Sequence, residues 1–373
     1  MSSSIRTIVK KAVRVVSATP GRDAPSAPVA QVSQRIGPGP EAPVLGHRAG
    51  IDKVDYGSAE FPDCRDEKHY SVAVNGRTYK VFFLCGHPRS GTHWMDGVLN
   101  LHPKIWIDGE YRFESLHNSL NDFTGRSWHA GSNEPMRSTA IECFHCTVKE
   151  IIGSSCVNRP EAQWLGDRTP RPARCFVPGA PHFLIIRDPR DVIVSWAHQE
   201  IKNGGFNYTD GGFDAHFHET REQFLADPAY FKKNPELLLS HERWLRRLAA
   251  RCRRHMRVDL ECLKLIDEGK TSGGIAGGAS RCHVVRYENI HTDPEGERNK
   301  LYRFLGLDPA EANPLSDETK TKPRLAEENP HGLYRRGVVG DWVKHFTPSV
   351  RAWFKDEAAD LLIELGYEKD VLW

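Results

Sequence analysis

Three short apolar runs punctuate an otherwise mixed chain: VFFL at 81–84, FLII at 183–186, and the VV pair at 284–285 with its flanks. Runs of this length without polar alternation predict strands buried on both faces, as in a parallel sheet. The first two lead straight into Gly/Pro/Asp turns and then into helical patterns. That order predicts an α/β fold with a central parallel sheet flanked by helices. Ligands of such sheets bind beyond the carboxyl ends of the strands. The segments after Leu84, Ile186 and Val285 are therefore where chemistry is expected. Residues 111–160 are mixed in pattern and predict loops and helices on the substrate side. Residues 236–268, with Leu237, Trp244, Leu245, Leu248 and Leu263 apolar, predict a helical hairpin, and the glycine-rich GKTSGGIAGGAS at 269–280 predicts a loop.

The N-terminal region has a different character. Its first 22 residues hold no Asp or Glu, and Ile5, Ile8, Val9, Ala12, Val13 and Val16 recur at helical spacing, with Arg6, Lys10 and Arg14 on the other face. Residues 1–17 thus suit an organelle-targeting peptide, a peripheral membrane helix or a frayed basic tail. Residues 18–50, rich in Pro, Ala and Gly, read as a linker. We expect residues 1–54 to precede one catalytic domain at 55–373.

Composition removes several function classes. The 373 residues carry a net charge of +2, with 39% hydrophobic and 27% charged positions. No chain-wide field for nucleic acid follows from that balance, and no nucleic-acid partner is expected. No apolar stretch approaches the ~20 residues of a transmembrane segment. Nine cysteines, an odd number, argue against a disulfide framework and for buried thiols in a reducing, cytoplasmic compartment. The single CxxC, Cys143 to Cys146, lacks the second pair of a structural zinc site, so no metal is expected.

The candidate chemistry begins after VFFL, in CGHPRSGTHW at 85–94. Two glycines with four residues between them resemble a nucleotide phosphate loop, but Thr92 and His93 stand where a triphosphatase has lysine and then serine or threonine. The backbone N–H groups of such a turn and the helix N-terminus favour an oxyanion, and Arg89 can donate to it twice. The loop therefore suits a phosphate that is held and released.

PRSGTHW is similar to the 5′-phosphosulfate loop of sulfotransferases that use 3′-phosphoadenosine 5′-phosphosulfate (PAPS), and the continuation VLNLHPKIWIDGE matches as well. The resemblance implies a P-loop-like fold and assigns Arg89, Ser90, Gly91, Thr92, His93 and Trp94 to the donor. His93 departs from the usual hydroxyl, which its imidazole N–H would replace. Trp94 would stack on the adenine. FLIIRDPRDVIVSWAH at 183–198 resembles the family's 3′-phosphate motif, implying that Arg187 and Ser195 grip that phosphate. YRRGVVGDWVKHFTP at 334–348 resembles a segment of the cytosolic enzymes and places Arg335, Arg336 and Gly337 on the same group. Val343 stands where lysine is usual, so no role passes to Lys344. VVRYENIHTDP at 284–294 resembles the segment whose tyrosine meets the adenine, here Tyr287.

The implied reaction moves a sulfuryl group to a hydroxyl or amine, with Arg89 stabilising the leaving phosphate. Glu110, in the GE that follows LHP, resembles the glutamate of carbohydrate and protein-tyrosine sulfotransferases and is the first choice of general base. Glu114, His117 and His102 are weaker ones. Arg168, in GDRTPRPA, resembles the sulfate-contacting cation of the glycan enzymes. A glycan or a small-molecule acceptor is expected. Arg246, Arg247, Arg251, Arg253 and Arg254 crowd one helical stretch and suit either a groove for an acidic glycan or a solvated face. Two other readings stand beside this one: a P-loop nucleotide kinase or phosphotransferase, which would need Mg²⁺, and a non-catalytic nucleotide-binding protein.

Overall fold

The structure, a computed structural model, describes residues 67–126, 134–170, 177–204, 215–267, 281–319, 321–322, 329, 331 and 335–373. The basic segment, the linker, the domain start near 55 and the glycine loop at 269–280 lie outside these residues.

The described sheet has the order β3-β4-β2-β5-β6, all parallel: β2 (Arg77–Gly86), β3 (Ile105–Ile107), β4 (Trp164–Arg168), β5 (His182–Ile186) and β6 (Cys282–Arg286). The three apolar runs form the heart of β2, β5 and β6, as predicted. One further strand, β1 (Ser71–Val74), pairs antiparallel with the start of β2. Its turn is Asn75-Gly76, with φ of 50° and 79°. Positive φ at both central residues matches the twist of a two-residue hairpin, which is why Asn-Gly occupies it. All residues of β4 and β5 are buried, as strands covered on both faces must be.

Helices flank the sheet, and several start on a recognisable cap. Helix α1 (Thr92–Leu99) follows the loop after β2. Helices α2 (Glu114–Arg126) and α3 (Glu134–Ser154) fill the stretch before β4. Helix α4 (Pro189–Asn203) begins where the Asp188 carboxylate accepts the Arg190 N–H, with Pro189 in the first turn, and stops at left-handed Gly204. Helix α5 (Ala215–Ala226) precedes α6 (Glu242–Asp267), and α7 (Tyr287–Thr292) and α8 (Pro294–Phe304) follow β6. Helix α9 (Pro348–Glu364) is capped by Thr347, whose hydroxyl accepts the Val350 N–H.

The expected hairpin over 236–268 is instead a short turn at Pro235–Leu237 followed by the single 26-residue helix α6. No glycine or proline interrupts 242–267, so nothing in that stretch breaks the helix. Several of its arginines are engaged in ion pairs or a ring contact, while Arg254 is exposed. Arg246 pairs with Glu242, Asp356 and Glu357, Arg253 with Asp360, and Arg257 with Asp360 and Glu364, which joins α6 to α9. Arg251 lies over the Trp196 ring at 4.5 Å. The cysteines also differ in part from expectation: Cys85, Cys156, Cys252 and Cys262 are buried, but Cys143 of the CxxC is exposed.

The turn between α1 and β3 is tied from outside. Arg159 Nη1 donates to the carbonyls of Asn100 (2.9 Å), His102 (3.0 Å) and Ile105 (2.7 Å), and its guanidinium lies over the Trp106 ring. His102 is buried in the same turn. Its Nδ1 accepts the Lys104 N–H, and its Nε2 sits 3.1 Å from the Asp308 carbonyl. This histidine therefore holds structure.

Candidate active site

The strand order reverses at β2, with β3 and β4 to one side and β5 and β6 to the other. In open α/β sheets the ligand crevice lies at the carboxyl ends beside such a reversal. Several of the predicted anchors come from these ends. The loop 87–91 follows β2, Arg168 ends β4, Arg187 follows β5 and Tyr287 follows β6.

The loop after β2 has an unusual backbone. Arg89 adopts φ 76° and Gly91 φ 106°. A left-handed non-glycine residue is uncommon, and such turns gather backbone N–H groups into an anion-binding concavity. A side chain at Gly91 would be strained, and its Cβ would also meet the Tyr287 ring at 2.7 Å. Ser90 is fully buried, and its Oγ has no hydrogen-bond partner among the described residues.

Around this loop the 3′-phosphate candidates converge. Arg89 Nε donates to Ser195 Oγ at 3.2 Å. Arg187 donates to the Arg89 carbonyl (3.1 Å) and to the Val338 carbonyl (2.8 Å), while its Nε has no partner among the described residues. The Arg187 guanidinium lies over the Tyr287 ring at 4.4 Å from its centre. One arginine thus links the loop after β2, the start of α7 and the C-terminal segment.

That segment is held by carboxylates. Asp341 pairs with Arg335, lies 3.5 Å from Arg336 and 3.7 Å from His345. Burial alone would raise its pKa, but the nearby His345 and the charge and hydrogen bond of Arg335 hold it well below the usual carboxylate range. Asp191 accepts the N–H groups of Gly340 (2.8 Å) and Trp342 (2.9 Å). Arg190 is clasped by Asp188 and Glu368, and its guanidinium stacks on Trp342 and Trp373.

A second cluster lies at the ends of α1 and β4. Arg168 pairs with Asp96 through Nε. Its Nη1 donates to His93 Nε2 (2.8 Å) and Glu110 Oε1 (3.2 Å). Glu110 also meets Arg112 at 3.3 Å and lies 4.0 Å from His93. Burial, with Arg168 beside it, lowers His93 to about 4, so the ring is neutral. Because Nε2 accepts from Arg168, the ring proton sits on Nδ1, 3.8 Å from Asp96. The imidazole N–H expected to replace a hydroxyl therefore faces Asp96. Burial pushes Asp96 up to about 7 despite Arg168. Beside them Asp167, also raised to about 7 by burial, accepts the Tyr111 N–H and the Thr169 hydroxyl.

The predicted residues thus form two adjoining networks: Arg89, Ser195, Arg187 and Tyr287 in one, and His93, Glu110 and Arg168 in the other. Trp94 stands apart. It is turned into the core, with Nε1 donating to the Thr321 carbonyl at 2.6 Å. His117, one of the weaker bases, is buried against Phe144. Sequence reading missed the carboxylates Asp96, Asp167 and Asp341. All three stand inside or beside a quoted motif, one to four residues from a predicted anchor, and charge balance beside each arginine was the signal for them.

Comparison with known proteins gives the family. A profile described as "Sulfotransferase family" matches residues 82–311, more than half of the chain, and a "Sulfotransferase domain" profile matches 278–364. No curated protein matches. Among solved structures, mouse sulfotransferase SULT7A1 complexed with PAP is 15% identical with a TM-score of 0.38, over 80% of this chain and 96% of that one. A sulfotransferase from Alicyclobacillus acidocaldarius is 15% identical (TM-score 0.34, 76% and 95%). The sulfotransferase domain of the Synechococcus PCC 7002 olefin synthase is 14% identical (0.35, 78% and 96%). On the profile that spans residues 82–311, the chain belongs to the sulfotransferase family.

Proposed function

We propose that this sulfotransferase moves the sulfuryl group of PAPS to a hydroxyl or amine of a small-molecule or glycan acceptor by metal-independent in-line displacement. The observation that carries the reading is the convergence on Arg89, whose guanidinium donates to Ser195 and whose backbone carbonyl accepts from Arg187. The residues suit a doubly phosphorylated donor. Ser90 Oγ and Arg187 Nε are buried polar atoms without partners among the described residues, and buried polar groups normally find them.

In this reading the turn at 89–93 and Arg89 hold the 5′-phosphosulfate. Arg187, Ser195, Arg335, Arg336 and Gly337 hold the 3′-phosphate. Tyr287, packed against Gly91 and beneath Arg187, is proposed to meet the adenine. The same contact is assigned less readily to Trp94, whose indole already bonds Thr321. The acceptor atom bonds to sulfur while the bond from sulfur to the bridging oxygen breaks, leaving the electron pair on the departing phosphate. Arg89 and the loop amides stabilise that charge. Glu110 takes the acceptor's proton, and Arg168, which it contacts, faces the transferred group.

The test has two arms. Wild-type protein should transfer radiolabelled sulfate from PAPS to a member of a panel of glycans, phenols, alcohols and amines, and EDTA should not stop it. A Mg²⁺-dependent phosphoryl transfer would instead favour the kinase reading, and binding without turnover the non-catalytic one. Arg187→Ala should weaken calorimetric binding of adenosine 3′,5′-bisphosphate far more than that of adenosine 5′-phosphate. Equal losses for both would reject the 3′-phosphate assignment.

A further inference from the structure

We infer that Asp191 is a positioning residue that makes the C-terminal segment 335–342 part of the 3′-phosphate site before any donor arrives. The inference rests on the donor reading above and adds to it a residue that touches no substrate. Asp191 is 1% exposed and lies one helical turn after Arg187. Its Oδ2 stands 3.7 Å from Arg187 Nη2, and the same oxygen accepts the Gly340 N–H. Its other oxygen accepts the Trp342 N–H. One carboxylate therefore binds both halves of the anion site: the arginine that follows β5 and the backbone next to Arg335 and Arg336.

The geometry leaves little slack for a substitute. Gly340 is left-handed at φ 77°, which turns its N–H and that of Trp342 toward a single acceptor group. Arg187 closes the circuit by donating to the Val338 carbonyl within the same segment. Arg190, next in sequence, fixes the Trp342 ring from the other side. An asparagine at 191 has the shape of aspartate, but its amide NH₂ would face one of the two N–H donors and its charge toward Arg187 is gone. The segment would then be released while the sheet stays intact.

The experiment compares wild type with Asp191→Asn by calorimetry, using adenosine 3′,5′-bisphosphate and adenosine 5′-phosphate. The inference expects the bisphosphate to bind at least about tenfold more weakly in the variant, with the monophosphate changed by less than about twofold. A general loosening of the fold would weaken both alike, and that result overturns the inference. If wild type itself does not distinguish the two ligands, the donor reading fails and this inference with it. If wild type distinguishes the two ligands and the variant keeps the same preference, the inference alone fails. Should the variant not fold, hydrogen exchange on the wild-type chain decides. The Gly340 and Trp342 amides should be protected without ligand and more so with the bisphosphate, and exchange at open-chain rates overturns the proposal.

Discussion

Asp167 offers a measurement independent of any substrate. It lies within β4 at 2% exposure, and burial raises its carboxyl to about 7, while the Tyr111 N–H and Thr169 hydroxyl draw it the other way. In the unfolded chain the same group ionises near its ordinary value of ~3.9. Below that value both states hold the proton. As pH rises from about 4 to about 7, only the unfolded chain gives it up, so the stability contributed by this group is lost progressively and is gone above about 7. The loss is on the order of 4 kcal/mol, roughly half of it by pH 5.5. Asp167→Asn keeps the side chain's shape and its acceptor toward Tyr111 but cannot ionise. Denaturant titrations of both proteins between about pH 4 and pH 8 should show the variant gaining on the wild type as pH rises, by about 4 kcal/mol in total. The neighbouring titratable groups are common to both proteins, so the difference isolates one carboxyl. Parallel stability curves would refute the reasoning, and a wild type that gains on the variant as pH rises would reverse its sign.

Glu110→Gln should lower turnover by about two to four orders of magnitude with the affinity for adenosine 3′,5′-bisphosphate unchanged; wild-type turnover would remove Glu110 as the base. Gly91→Ala forces a side chain into a left-handed backbone and against Tyr287. It should cost about 1–2 kcal/mol from the backbone alone and weaken donor binding, as thermal melts and calorimetry would show. Asp360→Asn breaks the exposed pairs with Arg253 and Arg257. Its cost should stay below about 1 kcal/mol and shrink in high salt, measured by denaturant unfolding.

The strands that carry the anchors are legible because they are buried on both faces and so appear as unbroken apolar runs. β4 escapes that signal. Its residues WLGDR include a glycine and two charges, and it is a central strand only because Asp167 and Arg168 find partners at its carboxyl end. β3 is three residues long, too short for any periodicity. β1 is signalled only by Asn75-Gly76 at its turn, since four residues are too few for a clear alternation. The donor loop and Arg187 stand out because their motifs are contiguous. The carboxylates that orient them do not, since an aspartate beside an arginine in sequence is no guide to which arginine it faces in space. Arg190, not Arg187, takes Asp188, and Asp191 reaches across to a segment 149 residues away. The same ambiguity hides the pairing of α6 with α9. The arginines are visible, but their acidic partners lie about 110 residues further on.

The single nitrogen of Arg159 that fastens three carbonyls ahead of Glu110 separates the fate of that turn from the fate of the sheet. A lysine in its place would leave the strands paired and the circular dichroism native, yet allow the turn to fray on warming. The injury would register as catalysis that fades with temperature. Natural variants at 159 would then look like active-site lesions to an assay and like bystanders to a spectrum.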